Sequence, residues 1–426
     1  MKTFIATALS LALSSAAFAA TTLDDAVQSA LASHPDLQAA KSAQLATAED
    51  VNVAKGALRP RLFLNAGVGR ERTDSDNVNG GEPISLTRRE AGINLIWALY
   101  SPAERGEMAR RMGISEGTAA GIADIEQQVA LQASTAYTNL WRAGTLYEIA
   151  EQARQAHETL VDQIGRRVET GVSGEAELIQ VQGRLSLSQS NESAALNALQ
   201  DARANYRRVV GKLPDFDVAK TMLDWDRPPF LDMAVQNAFR DHPIIKVAEA
   251  DIQEATALGQ SAQGSQLPRI TLELGANRNK DLDGTPGTSK DRFAMLRMNW
   301  DLYNGGSNLA AERAAGFRLT EAEHLLNDAQ REVVELAHQA WNAYMTTKQQ
   351  LVYLDMFVES AVNTREAYAQ QFTINRRTLQ EVLDSEVEVF DARSARVEAE
   401  ADHVIADLQL AASQGQLLKV MQEQAN

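Results

Sequence analysis

Two carboxylates, Glu381 and Asp384 in "QEVLD", are the first candidates for chemistry. Three residues apart on a helix, they share a face. On pattern alone they read as a solvated helix face. Two of the six histidines, His34 and His242, each precede a proline and could be taken for a metal pair. A turn signal written twice explains them better, because proline disfavours helix in the residue before it. No Ser/His/Asp set stands at strand ends, and there is no Gly-rich phosphate loop and no clustered metal-ligand spacing. Catalysis and a cofactor are therefore not expected. The chain has no cysteine, which removes disulfides, thiolate metal sites and a lipid-modified N-terminal cysteine.

The elements that would position such residues come in duplicate. "LDDAVQSALASHPDL" at 23–37 matches "LDMAVQNAFRDHPII" at 231–245, an offset of 208. The same offset carries Pro60-Arg61 to Pro268-Arg269 and Gly67 to Gly275. "WALY" at 97–100 answers "WDLY" at 300–303. A repeat of about 200 residues is far longer than a solenoid unit. Each half reads as two helices (22–33 and 36–57; 231–240 and 244–265), two strands and a long helical hairpin. The expected divisions are a signal peptide at 1–19, a first repeat at 20–213, an inter-repeat segment at 214–230 and a second repeat at 231–426. The leader pairs Lys2 with an apolar run and the small-x-small site Ala17-Phe18-Ala19. Its removal takes the net charge from −16 to −17. That balance argues against nucleic acid or anionic headgroups as the main partner.

The strands alternate with period two. Leu62, Leu64, Ala66 and Val68 share one face of 61–70. Ala91, Ile93, Leu95, Trp97 and Leu99 do so in 90–100. Ile270, Leu272, Leu274 and Ala276 repeat the pattern, as do Ala294, Leu296, Met298, Trp300 and Leu302. The strand hairpins span about 61–100 and 269–303, and their loops are expected to be long and polar. All ten prolines lie outside 103–213 and 287–426, which leaves room for uninterrupted helix. The long helical hairpins are expected at about 103–211 and 306–415. Each breaks once, at Gly171 in "ETGVSGEAEL" and at Asn375 in "TINRRTLQEVLD". A helix of that length spans about 100 Å, which suits a coiled coil better than a compact domain.

An exported chain with such strands is a candidate for the outer membrane, where every backbone group must be paired and the sheet must close. Four strands cannot close, since known barrels begin at about 8. The chain must then supply one sector of a shared barrel. Trp97, Tyr100, Trp300 and Tyr303 end the strands that lead into the helices, as an aromatic girdle at the inner interface would.

Over nearly its whole mature length the sequence resembles the TolC family of outer-membrane channel proteins. The likeness rests on the duplicated helix-helix-strand-strand-helix-helix order, the Pro-Arg entry to each first strand, and the motifs "GVSGEAELIQ" and "NRRTLQEVLD". It implies an α+β membrane protein: a homotrimer whose 12 strands form one β-barrel, continued by an α-helical coiled-coil barrel across the periplasm. The segment 214–230 and the C-terminal residues would form a mixed equatorial region. Glu381 and Asp384 then become an acidic ring at the periplasmic aperture, whose mutual repulsion should raise some of their pKa values. Arg377, Glu177 and Phe372 occupy the places of a gate lock; the phenylalanine stands where the family has tyrosine. The implied partners are a periplasmic adaptor (membrane fusion protein), an inner-membrane ABC transporter or other efflux pump, and outer-membrane lipid. "ANYRRVVGKLP" at 204–214 resembles the type I secretion branch. Multidrug or small-molecule efflux by the same architecture is the alternative. A soluble periplasmic coiled-coil adaptor is the alternative from another class.

Overall fold

The computed structural model describes residues 22–214 and 218–424; the expected signal peptide lies outside them. Helix α1 (Leu23–Ser33) starts on a capping box between Thr22 and Asp25, and α2 (Pro35–Ala57) follows after His34. The second repeat opens likewise, with α5 (Leu231–Asp241), His242 and α6 (Pro243–Gly264). Each histidine caps the helix junction it occupies; the His242 ring accepts the Ile244 N–H at 3.3 Å. Burial lowers the His242 pKa, with Asp124 opposing that shift.

The four strands are β1 (Arg61–Thr73), β2 (Ile84–Tyr100), β3 (Arg269–Leu282) and β4 (Thr285–Asn299). They form one antiparallel sheet in the order β1-β2-β3-β4. Along β2 and β3 the side chains alternate between more and less exposed. Leu62, Leu95, Leu274 and Ala294 stand in one row on the outward face. Phe63, Asn94, Gly275 and Phe293 form the neighbouring row on the inward face. Asn94 donates to Asn65 there at 2.7 Å. Gly275 has no room for a side chain: a Cβ would lie 2.4 Å from the Phe293 ring. Among the described residues β1 pairs only with β2 and β4 only with β3, so both outer edges are open.

The strands outrun the sequence reading at their hairpin ends, and the loops are shorter than expected; at its other end β4 stops at Asn299, short of the Trp300 and Leu302 expected in it. Apolar alternation marks only the part of each strand that can face lipid; beyond it the sheet continues with polar residues on both faces. The second hairpin turns in two residues, Asp283 and Gly284, both with positive φ. That is the turn an Asp-Gly pair favours. The first hairpin keeps a real loop between Thr73 and Ile84, with a short 3-10 turn at Asn79–Gly81.

Two helices of extreme length leave the sheet: α3 (Pro102–Glu169) and α7 (Ser307–Thr373). Each turns back into a shorter helix, α4 (Glu175–Val210) and α8 (Leu379–Ser413); α9 (Leu417–Gln424) ends the described chain. None of the described helices is long and apolar enough to cross a membrane. The two repeats interlock where α3 meets α6. A Cβ on Gly106 would lie 2.3 Å from the Ser261 backbone nitrogen, and one on Gly113 2.9 Å from that of Glu254. Small residues let these backbones approach.

Two tryptophans fasten the sheet to the helices. Trp97 donates its indole N–H to the Leu58 carbonyl at 3.1 Å, and Trp300 donates to Gln266 at 2.9 Å. Leu58 and Gln266 are equivalent under the 208-residue offset, so the anchor was duplicated with the fold. Tyr100 and Tyr303 lie exposed beside them.

Candidate functional site

The site begins with the two helix breaks. Helix α3 ends in a left-handed Gly171, with Val172 N–H bonding back to the Arg167 carbonyl at 2.8 Å. Helix α7 ends the same way at Asn375, φ 56°, with Arg376 N–H on the Gln371 carbonyl at 2.9 Å. Asparagine is the usual second choice for that conformation. Beneath the turns lies a small core of Leu160, Ile164, Val181, Phe372, Leu379, Val382 and Leu383.

Polar contacts then tie one tip to the other. Arg167 donates to the Asn375 side chain at 2.6 Å and lies over the Phe372 ring at 4.7 Å. Arg184 on α4 pairs with Asp384 on α8 at 3.1 Å. Gln180 and Gln380 hydrogen-bond between the same helices.

The acid at 381 has a local role that was not foreseen. Its carboxylate accepts the Thr378 N–H and hydroxyl, both at 2.9 Å, closing a capping box on α8. It also pairs with Arg377. Glu177 does the equivalent task on α4, accepting the Gly174 N–H at 3.3 Å. The two acids are repeat mates, 204 residues apart. The spacing T-x-x-E ahead of an apolar run was the signal that could have found this.

Three sequence expectations change as a result. Arg377 does not meet Glu177 within the chain, because each is held by a nearer partner on its own helix. Phe372 does not sit against Arg377; it is buried under Arg167, and Tyr368 supplies the aromatic face for Arg377 at 4.2 Å. Within one chain the Glu381 carboxyl is not raised but lowered, to about 2, first by the Thr378 backbone N–H and then by Arg377 and the Thr378 hydroxyl.

A pH dependence follows. A carboxyl with a depressed folded pKa stabilises above its unfolded value and loses that contribution as pH falls through the folded one. The cap at Thr378 should therefore hold at neutral pH and weaken as pH drops from about 4.5 toward about 2. Hydrogen exchange at residues 374–384 should speed up in that window for the wild type. In Glu381→Ala it should already be fast at neutral pH; equal protection in both would remove the cap.

A second constellation was not legible at all. The inter-repeat segment crosses α8 near the other end of the helical hairpins. Arg227 makes a two-pronged bond to Asp407, Nε to Oδ1 at 2.8 Å and Nη2 to Oδ2 at 2.7 Å. Asp407 is 2% exposed and also accepts the Trp225 indole N–H at 3.1 Å. Bonding to Asp407 raises the Arg227 pKa further. Lys220 pairs with Glu400 on the same helix, and Arg396 reaches Glu400 at 3.0 Å. His403 stacks on Tyr344 at 5.0 Å, and burial lowers its pKa. These groups clamp the segment against α8 over the largest buried cluster, which joins α1, α3, α4, α8 and α9. No spacing signal links residues 180 apart in sequence. Among the described residues no group of three or more histidines and carboxylates converges as a metal site.

Comparison with known proteins follows the same lines. The family described as "Outer membrane efflux protein" matches residues 26–212 and 234–416, one stretch in each repeat. Outer membrane protein TolC of Vibrio cholerae is 24% identical over 85% of this chain and 83% of that protein. Alkaline protease secretion protein AprF of Pseudomonas aeruginosa is 24% identical over 66% of this chain and 60% of its own length. The crystal structure of the Campylobacter jejuni CmeC outer membrane channel superposes with a TM-score of 0.82 at 16% identity, covering 93% of this chain and 86% of that one.

Proposed function

The chain belongs to the outer membrane efflux protein family, and from that premise we propose that it is the exit duct of a type I protein secretion system. Its fold is that of the trimeric outer-membrane channels, with the helical part in the periplasm, and it serves export. The observation that carries the channel reading is the four-stranded sheet with two open edges, continued by helices of 68 and 67 residues. Neither half makes sense alone: the edges need neighbours in lipid, and the helices are long enough to span a periplasm.

The secretion route is supported by the relative named for alkaline protease secretion and by Protein CyaE of Bordetella pertussis, 23% identical over 63% of this chain. The absence of cysteine also separates the chain from lipid-anchored channels. An inner-membrane ABC transporter and a periplasmic adaptor would complete the assembly. Deleting the gene should remove one or more proteins from the culture medium and leave tolerance to small apolar toxins unchanged. Heightened toxin sensitivity with an unaltered secreted set would favour drug efflux, which the relative named Outer membrane efflux protein BepC keeps in view.

The gate of this duct is the pair of helical tips. Glu381 and Asp384 ring the aperture, but each carries a basic partner in its own chain, Arg377 and Arg184 respectively. The ring's field is therefore largely balanced while these pairs hold. Fixed charge of one sign at a constriction selects ions of the other sign. In planar bilayers, Arg184→Ser with Arg377→Ser should raise conductance and cation preference. Glu381→Ala with Asp384→Ala should lower that preference below the wild type. Unchanged selectivity in both variants would move the gate elsewhere.

A further inference from the structure

The outward face of the sheet is apolar only as far as a boundary that steps across the four strands. Beginning at the aromatic end it carries Ile270 and Met298, then Leu272, Trp97 and Leu296, then Leu62, Leu95 and Leu274. About 27 Å along β3 from Ile270, at about 3.4 Å per residue, comes Arg278. From that level outward the same face is cationic, and on β4 the change comes one row earlier, at Arg292 beside Ala276. Arg70 and Arg72 stand on β1, Arg89 on β2, Arg278 and Lys280 on β3, and Lys290 and Arg292 on β4. The register groups them: Arg89 pairs with Lys280, and Arg278 with Lys290.

The charge is sorted by face. No acidic residue occupies the outward positions of the four strands. Glu71, Glu90 and Asp291 all lie on the inward face, spread over the stretch of sheet the belt covers, where Arg88 reaches Glu71 at 3.3 Å and also pairs with Glu90. The seven outward cations are exposed, and none is ion-paired with a described residue. In a chain of net charge −16 this is a concentrated exception. The inward acids make no ion pair with the belt, and the sheet leaves long side chains free to reach up and outward from the apolar band.

We infer that this belt is a binding surface for phosphate-bearing lipid headgroups of the outer leaflet. The inference rests on the channel reading, which sets the helices in the periplasm and the hairpin turns at the exterior. An apolar band of about 25 Å ends where headgroups begin. Guanidinium groups there meet phosphate oxygens in two-pronged fashion, and clusters of four to eight such cations are what anionic headgroups recognise. The overall acidity of the chain, which argued against anionic headgroups, is an average over a periplasmic surface the lipid never meets.

Native mass spectrometry of the trimer in neutral detergent tests this. The trimer is incubated with equal amounts of phosphatidylcholine and either bisphosphorylated lipid A or phosphatidylglycerol. The anionic lipids should be retained about tenfold over phosphatidylcholine. The variant Arg278→Gln, Lys280→Gln, Lys290→Gln, Arg292→Gln should lose that excess, while Glu90→Gln on the inward face should keep it. Should the fourfold variant fail to assemble, Lys280→Gln with Lys290→Gln should still show a clear drop. Millimolar inorganic phosphate should not displace the lipid. Equal retention of all three lipids, equal retention by wild type and variant, or displacement by free phosphate would each overturn the inference. An intact conducting trimer with any of those results sinks the belt alone; a monomer soluble without detergent sinks the channel reading with it.

Discussion

Replacing Arg227 by alanine should destabilise the helical part of the protein by about 3–5 kcal/mol, the range for removing one partner of a buried ion pair. The cause is what stays behind. Asp407 is 2% exposed, and its two oxygens are satisfied by the Arg227 fork and the Trp225 indole. Without Arg227 a buried carboxylate keeps one neutral donor and no counter-charge. Arg227 also donates to the Leu223 carbonyl at 2.6 Å and lies over the rings of Trp225 and Tyr344, so the crossing segment loses its seat on α8. Removing both charges together is a different matter, since apolar replacement of a buried pair is often neutral or better. Arg227→Met with Asp407→Leu should recover most of the loss. Urea unfolding of detergent-solubilised protein, followed by helical circular dichroism, reads both variants. A loss under about 1 kcal/mol for Arg227→Ala would mean that water reaches Asp407 and the clamp is ornamental.

The second large effect should come from one pair of neighbours on β2. Leu95 faces outward between Leu62 and Leu274; Asn94 faces inward and bonds Asn65. Leu95→Arg puts a cation near the middle of the apolar band and should cost about 2–4 kcal/mol per chain. Asn94→Arg puts the same side chain into the lumen, loses one neutral hydrogen bond worth about 1 kcal/mol, and leaves the charge in water. Folding into lipid vesicles from urea, followed by heat-resistant migration of the folded protein, gives the two values. Equal costs would reverse or erase the assignment of faces.

Different parts of the molecule were legible in the sequence to different degrees, for physical reasons. The duplication and the order of elements could be read because period-two and period-3.6 patterns are local. The strand ends could not, because the apolar signal records contact with lipid rather than hydrogen bonding, and β2 and β4 run on after the lipid stops. The helix breaks at Gly171 and Asn375 were visible through their left-handed residues. The acids beside them were harder. Glu381 satisfies a helix cap, an arginine and a proposed aperture at once, and its cap was written in the T-x-x-E spacing. Asp384 could not be matched with Arg184 by any local rule, since they are 200 residues apart. The clamp of Arg227 and Asp407 is the extreme case: "DWDRPPF" looks like a polar linker until the fold brings α8 beneath it.

The open edges of β1 and β4 have a consequence for heredity. Each edge leaves a row of backbone groups that only a neighbouring copy can satisfy in lipid, so a lone chain has no settled membrane form, and insertion and assembly are one event. A chain with a spoiled edge but sound helices can still enter a mixed trimer and break the ring there. A cell making normal and edge-damaged chains in equal amounts would keep only a small minority of wholly normal channels. Damage to the strand edges should therefore be dominant, whereas a chain too unstable to assemble, such as one with a broken clamp, should be recessive.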